Sequence, residues 1–439
     1  MKNVEFIKEN QIQLSNLLKK HNILKDNNQP FSVSLSPYFI TESRFKQLAR
    51  ESELILSCVE KIVSNYLTNS YIHNFYYEFN HIDNLIKSNP PYTPKIQIAR
   101  IDFAEDLDGN FKIMEINCSQ PGGAVLIPLI KELYETLEFF KEIKENYDLV
   151  ALPMDDSLFF LKYLLKMYKT FFSKDCRTIG FAYSDFCPIK TDMHHLIGQC
   201  KVLGIDGTIF NVKDLRIVEN NVLVNNKQID LIHHKFDFFT DPLGNCRPCF
   251  YEHNSNEVDM YLEALKKDSS VFVNPISSMT IGESKKNLSL LKDPKIHSLF
   301  SPEERSAIMK LCPETHTLDK YHSSNMKKFL ENKNNYVLKH AYSTRGKGIF
   351  MGHIMNSLEW KTKLKSSNVY PSVVQEYINH KAENIWAPLE PIQQEYRSNL
   401  AVYLINGKAS GLLCRATQGY HSNFYTGGIC RPAYVVKNL

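Results

Sequence analysis

The sequence predicts a multi-domain protein that combines α/β and α+β parts, and three observations lead to this class. The chain has 439 residues, which corresponds to about three domains at roughly 150 residues each. Hydrophobic residues make up 43% and charged residues 23% of it, which is ordinary globular usage and excludes a wholly disordered chain. Strand and helix patterns alternate over residues 151–275, whereas strands occur in neighbouring pairs near residues 95–118 and in the last hundred residues.

Composition also excludes several functional classes. The chain has 52 Lys and Arg against 48 Asp and Glu, and a net charge of +4 is too small for a dedicated nucleic-acid or membrane-surface binder. No apolar run reaches the roughly 18 residues that span a bilayer, and no signal peptide can be recognised at the start of the sequence. The ten cysteines follow no disulfide framework, which is typical of free thiols in a reducing compartment. We therefore expect a cytoplasmic enzyme.

Residues 1–94 are predicted to form a helical N-terminal segment. Apolar residues recur at three- and four-residue spacing over Glu42–Tyr66, which contains no proline. Three prolines between residues 90 and 94 then stop any helix, because proline lacks the backbone donor and restricts its predecessor.

Residues 95–150 begin with a predicted β-hairpin and continue as a helix over Leu129–Tyr147. The strands cover Lys95–Phe103 and Phe111–Cys118, and Asp108-Gly109 predicts a two-residue type I′ turn. The resulting pairs are Asp102 with Glu115 and Arg100 with Asn117 on one face, and Ile101 with Ile116 and Phe103 with Met114 on the other.

The polar face of this hairpin is a candidate metal site. Two carboxylates opposite each other repel unless a cation lies between them, and Asp102, Glu115 and the Asn117 carbonyl are oxygen donors of the kind Mg²⁺ prefers. The alternative is a solvent-facing polar side on which Arg100 neutralises the acids.

Residues 151–275 are predicted to form an α/β domain with a parallel, Rossmann-like sheet. Its strands are Thr178–Tyr183, Gly207–Val212 and Ile229–His233, with a helix near Asp192–Leu203 and a hairpin about Glu219–Asn226. No G-x-G-x-x-G follows the first strand, so the sequence does not indicate a dinucleotide there. Cys246, Cys249 and His253 leave a zinc site open, although a fourth ligand at a fixed offset is missing.

Residues 276–439 are predicted to be helical and polar up to about 335 and α+β afterwards. The predicted elements are the strands Tyr336–His340, Ile349–His353, Ser372–Ile378, Tyr396–Ile405 and Ala409–Arg415 and a helix at Ser357–Ser366. Asn406-Gly407 predicts a tight hairpin turn between the last two strands.

A basic, glycine-rich loop follows the first of these strands. Lys339 is near the strand end, and the loop Ser343–Gly348 carries Arg345 and Lys347 between glycines. Glycine lets backbone N–H groups approach an anion and the side chains supply charge, so the loop could cover phosphates, although a solvated hairpin tip shows the same pattern.

Taken together and in this order, the motifs resemble the circularly permuted ATP-grasp family that includes glutathionylspermidine synthase. The resemblance covers about residues 95–439. The matching stretches are Arg100–Phe103 with Lys112–Asn117, Asn274-Pro275 with Glu283–Lys286, Pro313–Thr315, Tyr336–His340 with Arg345–Gly348, Gln375–Tyr377, and Asn406–Gly411 through Arg415.

The resemblance implies an ATP-grasp core made from residues 95–150 and 276–439, with 151–275 as a pre-ATP-grasp domain. It implies an ADP-forming ligase that uses ATP and Mg²⁺ to activate a carboxylate as an acyl phosphate and couple it to an amine. The roles it implies are Mg²⁺ ligation by Asp102, Glu115 and Asn117, nucleotide binding by Lys339, Arg345, Lys347, Gln375, Glu376, Tyr377 and Lys285, and catalysis by Arg100 and Arg415.

The implied partners are a small-molecule carboxylate and amine, such as an amino acid, a peptide or a polyamine conjugate, with neither nucleic acid nor membrane. Loading of an amino acid onto a carrier-protein thiol, a non-catalytic nucleotide-binding module and a small-molecule kinase remain alternatives, and the oligomeric state stays open. The chain departs from the family at His233-His234-Lys235, where an arginine of the substrate pocket would be expected.

Overall fold

The structure is a computed structural model that describes residues 4–25, 28–87, 92–184, 191–234, 238–240, 246–248, 256–267, 269–318, 325–343, 346, 348–367, 371–420 and 422–438. The α-helices are α1 Val4–Lys20, α2 Glu42–Asn65, α3 Ser70–Phe75, α4 Asp83–Lys87, α5 Leu126–Glu135, α6 Glu138–Asn146, α7 Phe159–Phe172, α8 Thr191–Val202, α9 Asn256–Ala264, α10 Asn287–Leu290, α11 Pro302–Leu311, α12 Met326–Glu331 and α13 Ser357–Ser366.

The strands are β1 Tyr38–Thr41, β2 Ile98–Glu105, β3 Phe111–Asn117, β4 Leu149–Val150, β5 Thr178–Tyr183, β6 Asp206–Asn211, β7 Leu215–Val218, β8 Asn221–Val224, β9 Lys227–Gln228, β10 Leu231–His234, β11 Phe238–Thr240, β12 Cys246–Pro248, β13 Val271–Val273, β14 Thr315–Leu318, β15 Tyr336–His340, β16 Ile349–Met351, β17 Ser372–Glu376, β18 Ala382–Trp386, β19 Gln393–Ile405, β20 Lys408–Thr417, β21 Ile429–Arg431 and β22 Ala433–Val436.

Three sheets dominate the molecule and confirm the predicted mixed α/β class. The central sheet is antiparallel, with strand order β21-β20-β19-β2-β3 and β18 paired to β19. The small sheet is antiparallel, with order β14-β17-β15-β16, and the parallel sheet has order β13-β10-β5-β6. The hairpin β2–β3 and the C-terminal strands share the central sheet. The division of the chain at residues 94, 150 and 275 stays a prediction.

One face of the central sheet forms the main hydrophobic core. Alternate residues of its strands, among them Ile101, Val402 and Leu412, are buried together with apolar residues of α2 such as Val59. Because side chains alternate along a strand, the polar residues of β2, β3, β19 and β20 lie on the opposite face. The sheet therefore presents a charged face away from its core.

The hairpin β2–β3 differs from the prediction at its tip. A five-residue loop, Asp106–Asn110, replaces the two-residue turn, and the Asp106 Oδ1 accepts hydrogen bonds from the backbone N–H groups of Asp108 (3.0 Å) and Asn110 (2.8 Å). This side-chain capping satisfies the loop backbone, which a longer connection needs.

Three further predictions of secondary structure were wrong. The single helix expected over Leu129–Tyr147 is split into α5 and α6 by Leu137, which is fully buried with an extended backbone. Strand β14 lies in the segment expected to be helical, because Thr315–Leu318 pairs with β17. Strand β1 lies within the helical N-terminal segment and pairs in parallel with β22, almost 400 residues away.

The cysteines and helices agree with part of the compositional reasoning. The cysteine side chains that the structure describes are free and buried. Among the described residues, no helix combines the length and the apolar character needed to cross a bilayer.

Candidate active site

A cavity of about 290 Å³ is lined by the charged face of the central sheet and by the small sheet. Its size is near the lower end of the usual range for small-molecule sites. The predicted site residues that line it are Arg100, Glu115, Asn117, Lys339, Gln375, Glu376, Tyr377 and Arg415. Asp102 and Lys285 lie directly behind this lining, and Arg345 and Lys347 lie outside the described residues. The structure thus brings together residues that are up to 315 positions apart.

A β-bulge in β3 sets the geometry of the polar face. Arg100 pairs with Asn117 and Asp102 with Glu115 as predicted, but Phe103 pairs with Ile113 rather than Met114. The extra residue is therefore Met114, and a bulged residue is left out of the ladder. Its carbonyl oxygen accepts a hydrogen bond from Lys339 Nζ at 2.9 Å, so the bulge connects the hairpin to the small sheet.

Asp102 is completely buried and is bound by two arginines. It accepts hydrogen bonds from Arg100 Nε (2.6 Å) and Nη2 (2.9 Å), and Arg415 Nη2 donates to the same carboxylate. Burial by itself raises the pKa of Asp102, but the charges of Arg100 and Arg415 outweigh it and lower that pKa to about 2. Asp102 therefore holds both guanidinium groups at the cavity wall, with the remaining N–H groups of Arg100 available to a ligand.

Arg100 is also tied to the loop before α5. Its Nη1 donates to the carbonyl oxygen of Gly122 at 2.8 Å, and the Tyr403 hydroxyl donates to the same oxygen at 2.6 Å. The following residue, Gly123, has φ +94°, and a Cβ there would lie 2.5 Å from the Tyr403 hydroxyl. This close approach and the positive φ explain why a glycine stands at position 123.

The opposite wall holds two buried lysines without a carboxylate in hydrogen-bond contact. Lys339 donates to the Met114 carbonyl and to the Gln375 side chain, and Lys285 Nζ donates to the Ser343 carbonyl at 2.7 Å. The nearest acid to Lys285 is Glu115, at 3.7 Å between Nζ and Oε2. Burial lowers the pKa of Lys339 to about 8. The negative charge of Glu115 raises this pKa, and the positive charge of Lys285 lowers it further. Carbonyl partners hold these ammonium groups in place but do not neutralise them.

The end of β17 forms the far side of the cavity. Gln375 is buried and contacts Lys339. Glu376 is exposed, and its carboxylate accepts a hydrogen bond from the Glu314 backbone N–H at 3.1 Å. The ring centroid of Tyr377 lies 4.4 Å from that of His353. Their predicted contact with adenine and ribose stays a prediction.

A buried ion pair connects the wall that carries Lys285 and Lys339 to the N-terminal segment. Lys286 Nζ lies 3.1 Å from Glu78 Oε1, and the hydroxyl of Tyr342 donates to the same carboxylate at 2.5 Å. Tyr342 also accepts from Ser284 at 3.1 Å. Glu78 therefore fixes both chain segments that carry Lys285 and Ser343.

Four cavity residues were missed as site candidates by the sequence reasoning. Glu283 accepts from the backbone N–H groups of Cys118 (2.5 Å) and Ser119 (2.7 Å), and burial raises its pKa to about 7. His380, Arg397 and Asn399 also line the cavity, and burial lowers the pKa of His380 to about 4. Arg397 and Asn399 share a strand face and Glu283 begins a stretch that matches the family, so both were usable signals, whereas His380 carries no pattern.

The position where a substrate arginine was expected does not reach the cavity. His233 and His234 are buried in β10, and His234 Nε2 lies 2.5 Å from the Asn274 carbonyl oxygen. Lys235 lies outside the described residues, as do Cys249 and His253 of the zinc candidate.

Comparisons with known proteins place the fold. No protein-family model and no curated protein matches the chain. The chain is similar to the solved structure of a glutathione synthetase-like effector from Globodera pallida in its apo form, with a TM-score of 0.63 and 14% identity over 99% of this chain and 98% of that chain. At this identity the likeness shows a common fold alone.

Two further solved structures align over part of the chain. D-alanyl-alanine synthetase A from Vibrio cholerae matches with a TM-score of 0.33 and 13% identity, over 56% of this chain and 68% of that one. A RimK domain ATP-grasp protein from Sphaerobacter thermophilus matches with a TM-score of 0.28 and 9% identity, over 60% of this chain and 92% of that one. We draw no conclusion from scores this low. The circular permutation and the closer resemblance to glutathionylspermidine synthase stay predictions.

Proposed function

We propose that this protein is an ATP-grasp ligase that joins a small carboxylic acid to an amine and converts ATP to ADP. One observation carries the proposal: Arg100, Glu115 and Asn117 of the hairpin line the same cavity as Lys339 and Arg415 of the C-terminal strands. Guanidinium and ammonium groups bind phosphates and carboxylates, and oxygen donors beside them suit a divalent cation. The shared fold with a glutathione synthetase-like protein agrees with this chemistry.

In the first proposed step, a carboxylate oxygen of the acid attacks the γ-phosphorus of ATP. The bond from that phosphorus to the β–γ bridging oxygen breaks, which gives an acyl phosphate and ADP. Arg100 orients the carboxylate and Arg415 stabilises the negative charge on the transferred phosphoryl group. Asp102 keeps both guanidinium groups fixed, so little reorganisation is needed during the reaction.

Lys339 and Lys285 are proposed to bind the phosphates from the opposite wall. Both are buried and held by carbonyl oxygens, and the nearest carboxylate, Glu115, lies 3.7 Å from Lys285 Nζ, so a triphosphate would add an anion in direct contact. Arg345 and Lys347 would add to this contact as the resemblance implies, and Gln375, Glu376 and Tyr377 would hold adenine and ribose.

The oxygen donors of the cavity fit Mg²⁺ in part. Glu115 and Asn117 line the cavity and would hold the ion, whereas Asp102 accepts hydrogen bonds from two guanidinium groups. We therefore propose that Asp102 positions the arginines rather than ligating the metal. Bound Mg²⁺ would neutralise phosphate charge during transfer.

In the second proposed step, the amine nitrogen attacks the acyl carbon of the acyl phosphate. The carbon–oxygen bond to phosphate breaks, inorganic phosphate leaves, and the nitrogen loses a proton to give the amide. Burial of Arg100, Lys339 and Arg415 limits access of water, which protects the acyl phosphate from hydrolysis.

The proposal is tested by trapping the acyl phosphate. The protein is incubated with Mg-ATP, a mixture of amino acids and hydroxylamine, and both ADP and hydroxamate are measured. We expect ADP release that depends on the acid, with a matching amount of hydroxamate. AMP as product, or ADP release that no acid stimulates, would contradict the proposal.

A pair of variants separates the chemistry from folding. Arg415→Met should lower kcat at least about hundredfold, because a donor to the transition state is removed. Arg216→Met, at an exposed arginine of β7, is the matched control, and thermal unfolding of both verifies that they fold. Replacing hydroxylamine with amines or with the thiol pantetheine distinguishes amide formation from loading of a carrier thiol.

A further inference from the structure

The cavity has an apolar wall that the proposed chemistry of phosphate transfer does not use. This wall consists of Leu24, Phe31, Leu126, Ile127 and Phe424, all of which line the cavity. Leu24, Ile127 and Phe424 are only partly buried, and the rings of Phe31 and Phe424 pack edge to face at 5.3 Å. Partly exposed apolar groups inside a cavity are available to bind the apolar part of a ligand.

The apolar wall adjoins the arginine that is proposed to hold the carboxylate. Arg100 donates to the Gly122 carbonyl, and the backbone N–H of Ile127 donates to the Gly123 carbonyl at 2.9 Å. Leu126 and Ile127 thus follow Gly122, whose carbonyl Arg100 contacts, by four and five residues. A molecule whose carboxylate lies on Arg100 would have its body next to this wall.

Among the residues that the structure describes, one carboxylate, that of Asp192, lines the cavity beside the apolar wall. Asp192, at the start of α8, lines the cavity and is 6% exposed. The neighbouring Thr191 hydroxyl donates to the Leu24 carbonyl at 3.0 Å, so the start of α8 is attached to the wall. Glu283, another buried carboxylate of the cavity, lies at the phosphate end instead, where it accepts from the backbone N–H groups of Cys118 and Ser119. Asp192 is therefore the carboxylate placed to meet a cationic group of a ligand bound along the wall.

From this arrangement, and resting on the proposed function, we propose that the acid substrate is an apolar amino acid or a short apolar peptide. Its carboxylate binds Arg100, its apolar side chain packs on the apolar wall, and its ammonium group pairs with Asp192. Acids with a second negative charge are disfavoured, because they would bring that charge to the apolar wall or to Asp192.

The test compares acids in the hydroxamate assay. L-Leucine, L-leucyl-L-leucine, L-phenylalanine, L-glutamate and L-lysine are used as acids, together with 4-methylpentanoate, which is leucine without its ammonium group. We expect kcat/KM to be at least about tenfold higher for an apolar amino acid or dipeptide than for glutamate or lysine.

Variants assign the two contacts. Asp192→Asn should raise KM for leucine or its dipeptide about ten- to hundredfold and leave KM for 4-methylpentanoate within about twofold, because a charge-assisted hydrogen bond to the ammonium is lost. Asp192→Glu should recover part of the loss, and Phe31→Ala should weaken all apolar acids together. Lys201→Ala, at an exposed residue of the same helix, is the control and should change neither value.

The outcomes separate this inference from the proposed function. If glutamate or lysine is activated best, or if Asp192→Asn changes KM for the amine rather than for the acid, the inference is overturned while the ligase proposal stands. If no acid of any class gives ADP and hydroxamate, the proposed function fails and this inference fails with it.

Discussion

The two walls of the cavity differ in how their buried charges are compensated. On the central sheet, Asp102 stands between Arg100 and Arg415, so that opposite charges contact each other directly. On the side of the small sheet, Lys339 and Lys285 are held by carbonyl and amide oxygens instead. The pKa values show the same contrast, since that of Asp102 falls to about 2 and that of Lys339 falls to about 8.

This difference indicates separate roles for the two walls: the wall with Asp102 holds its arginines in position, and the wall with Lys339 and Lys285 binds an anionic ligand. A buried carboxylate bound by two guanidinium groups forms its ion pairs without a ligand, so breaking this group should destabilise the fold. Buried ammonium groups without a carboxylate in hydrogen-bond contact are costly in the free protein and gain most when an anion binds. The following predictions test this distinction, beginning with the largest expected effect.

Removing the charge of Asp102 should damage the compensated wall. Asp102→Asn leaves Arg100 and Arg415 buried next to a neutral side chain, so the free energy of unfolding should fall by about 3–5 kcal/mol. Urea unfolding measures the change, and Asp108→Asn at the exposed hairpin tip is the control. A loss below about 1 kcal/mol would show that the two arginines do not depend on this carboxylate.

Glu115 makes a long ion pair with Lys285, at 3.7 Å, so its removal should affect metal binding more than folding. Glu115→Gln keeps the shape but weakens the oxygen donor, and the Mg²⁺ concentration for half-maximal turnover should rise at least about tenfold. The unfolding midpoint should stay unchanged, since the closest cation, Lys285, is 3.7 Å away. Unchanged Mg²⁺ dependence would remove Glu115 from the proposed metal site.

Replacing Lys339 should affect ATP binding strongly and stability only slightly, in contrast to the replacement of Asp102. Lys339→Met removes a buried ammonium together with its two hydrogen bonds, so stability should change by no more than about 1 kcal/mol. ATP affinity, measured by calorimetric titration, should fall about tenfold or more. Lys327→Met, at a highly exposed lysine, is the control, and equal affinity of both variants would contradict the assignment.

The smallest predicted effect concerns pH. Burial, and then the charges of Arg397 and Lys339, lowers the pKa of His380 to about 4, so the folded protein keeps this residue neutral. Between pH 6.5 and 4 the unfolded chain binds the extra proton, and stability therefore falls as pH decreases through this window. The loss from pH 7 to 5 should be about 1–2 kcal/mol smaller in His380→Gln. Parallel pH profiles of the two proteins would refute this role.

Sequence patterns predicted the parts of the site that depend on local periodicity. The strands Thr178–Tyr183 and Tyr336–His340 and the helix Ser357–Ser366 are confirmed at both ends. The pairs Arg100–Asn117 and Asp102–Glu115 follow from alternation along two neighbouring strands. These features need only residues that are close in sequence.

Contacts between distant segments could not be predicted in the same way. At the bulge, the carbonyl oxygen of Met114 is not paired within the strand ladder and accepts a hydrogen bond from Lys339, which is 225 positions away. The contact between Asp102 and Arg415 joins residues 313 positions apart, so no local pattern predicts it. Leu137 interrupts a helical pattern that contains no glycine or proline, and it is fully buried with an extended backbone, so no local signal marks the break.

The pairing of early strands with late ones also has a consequence for how the chain is made. Strand β1 needs β22, and β2 needs β19, so neither early strand can complete its hydrogen bonds until residues 393–436 have left the ribosome. During translation, the apolar face of β2 and β3 stays exposed next to α2 until β19 is available to pair with β2. Intermediates of this kind aggregate easily. We therefore expect efficient production to need chaperones that shield this unfinished sheet until the last strands are made.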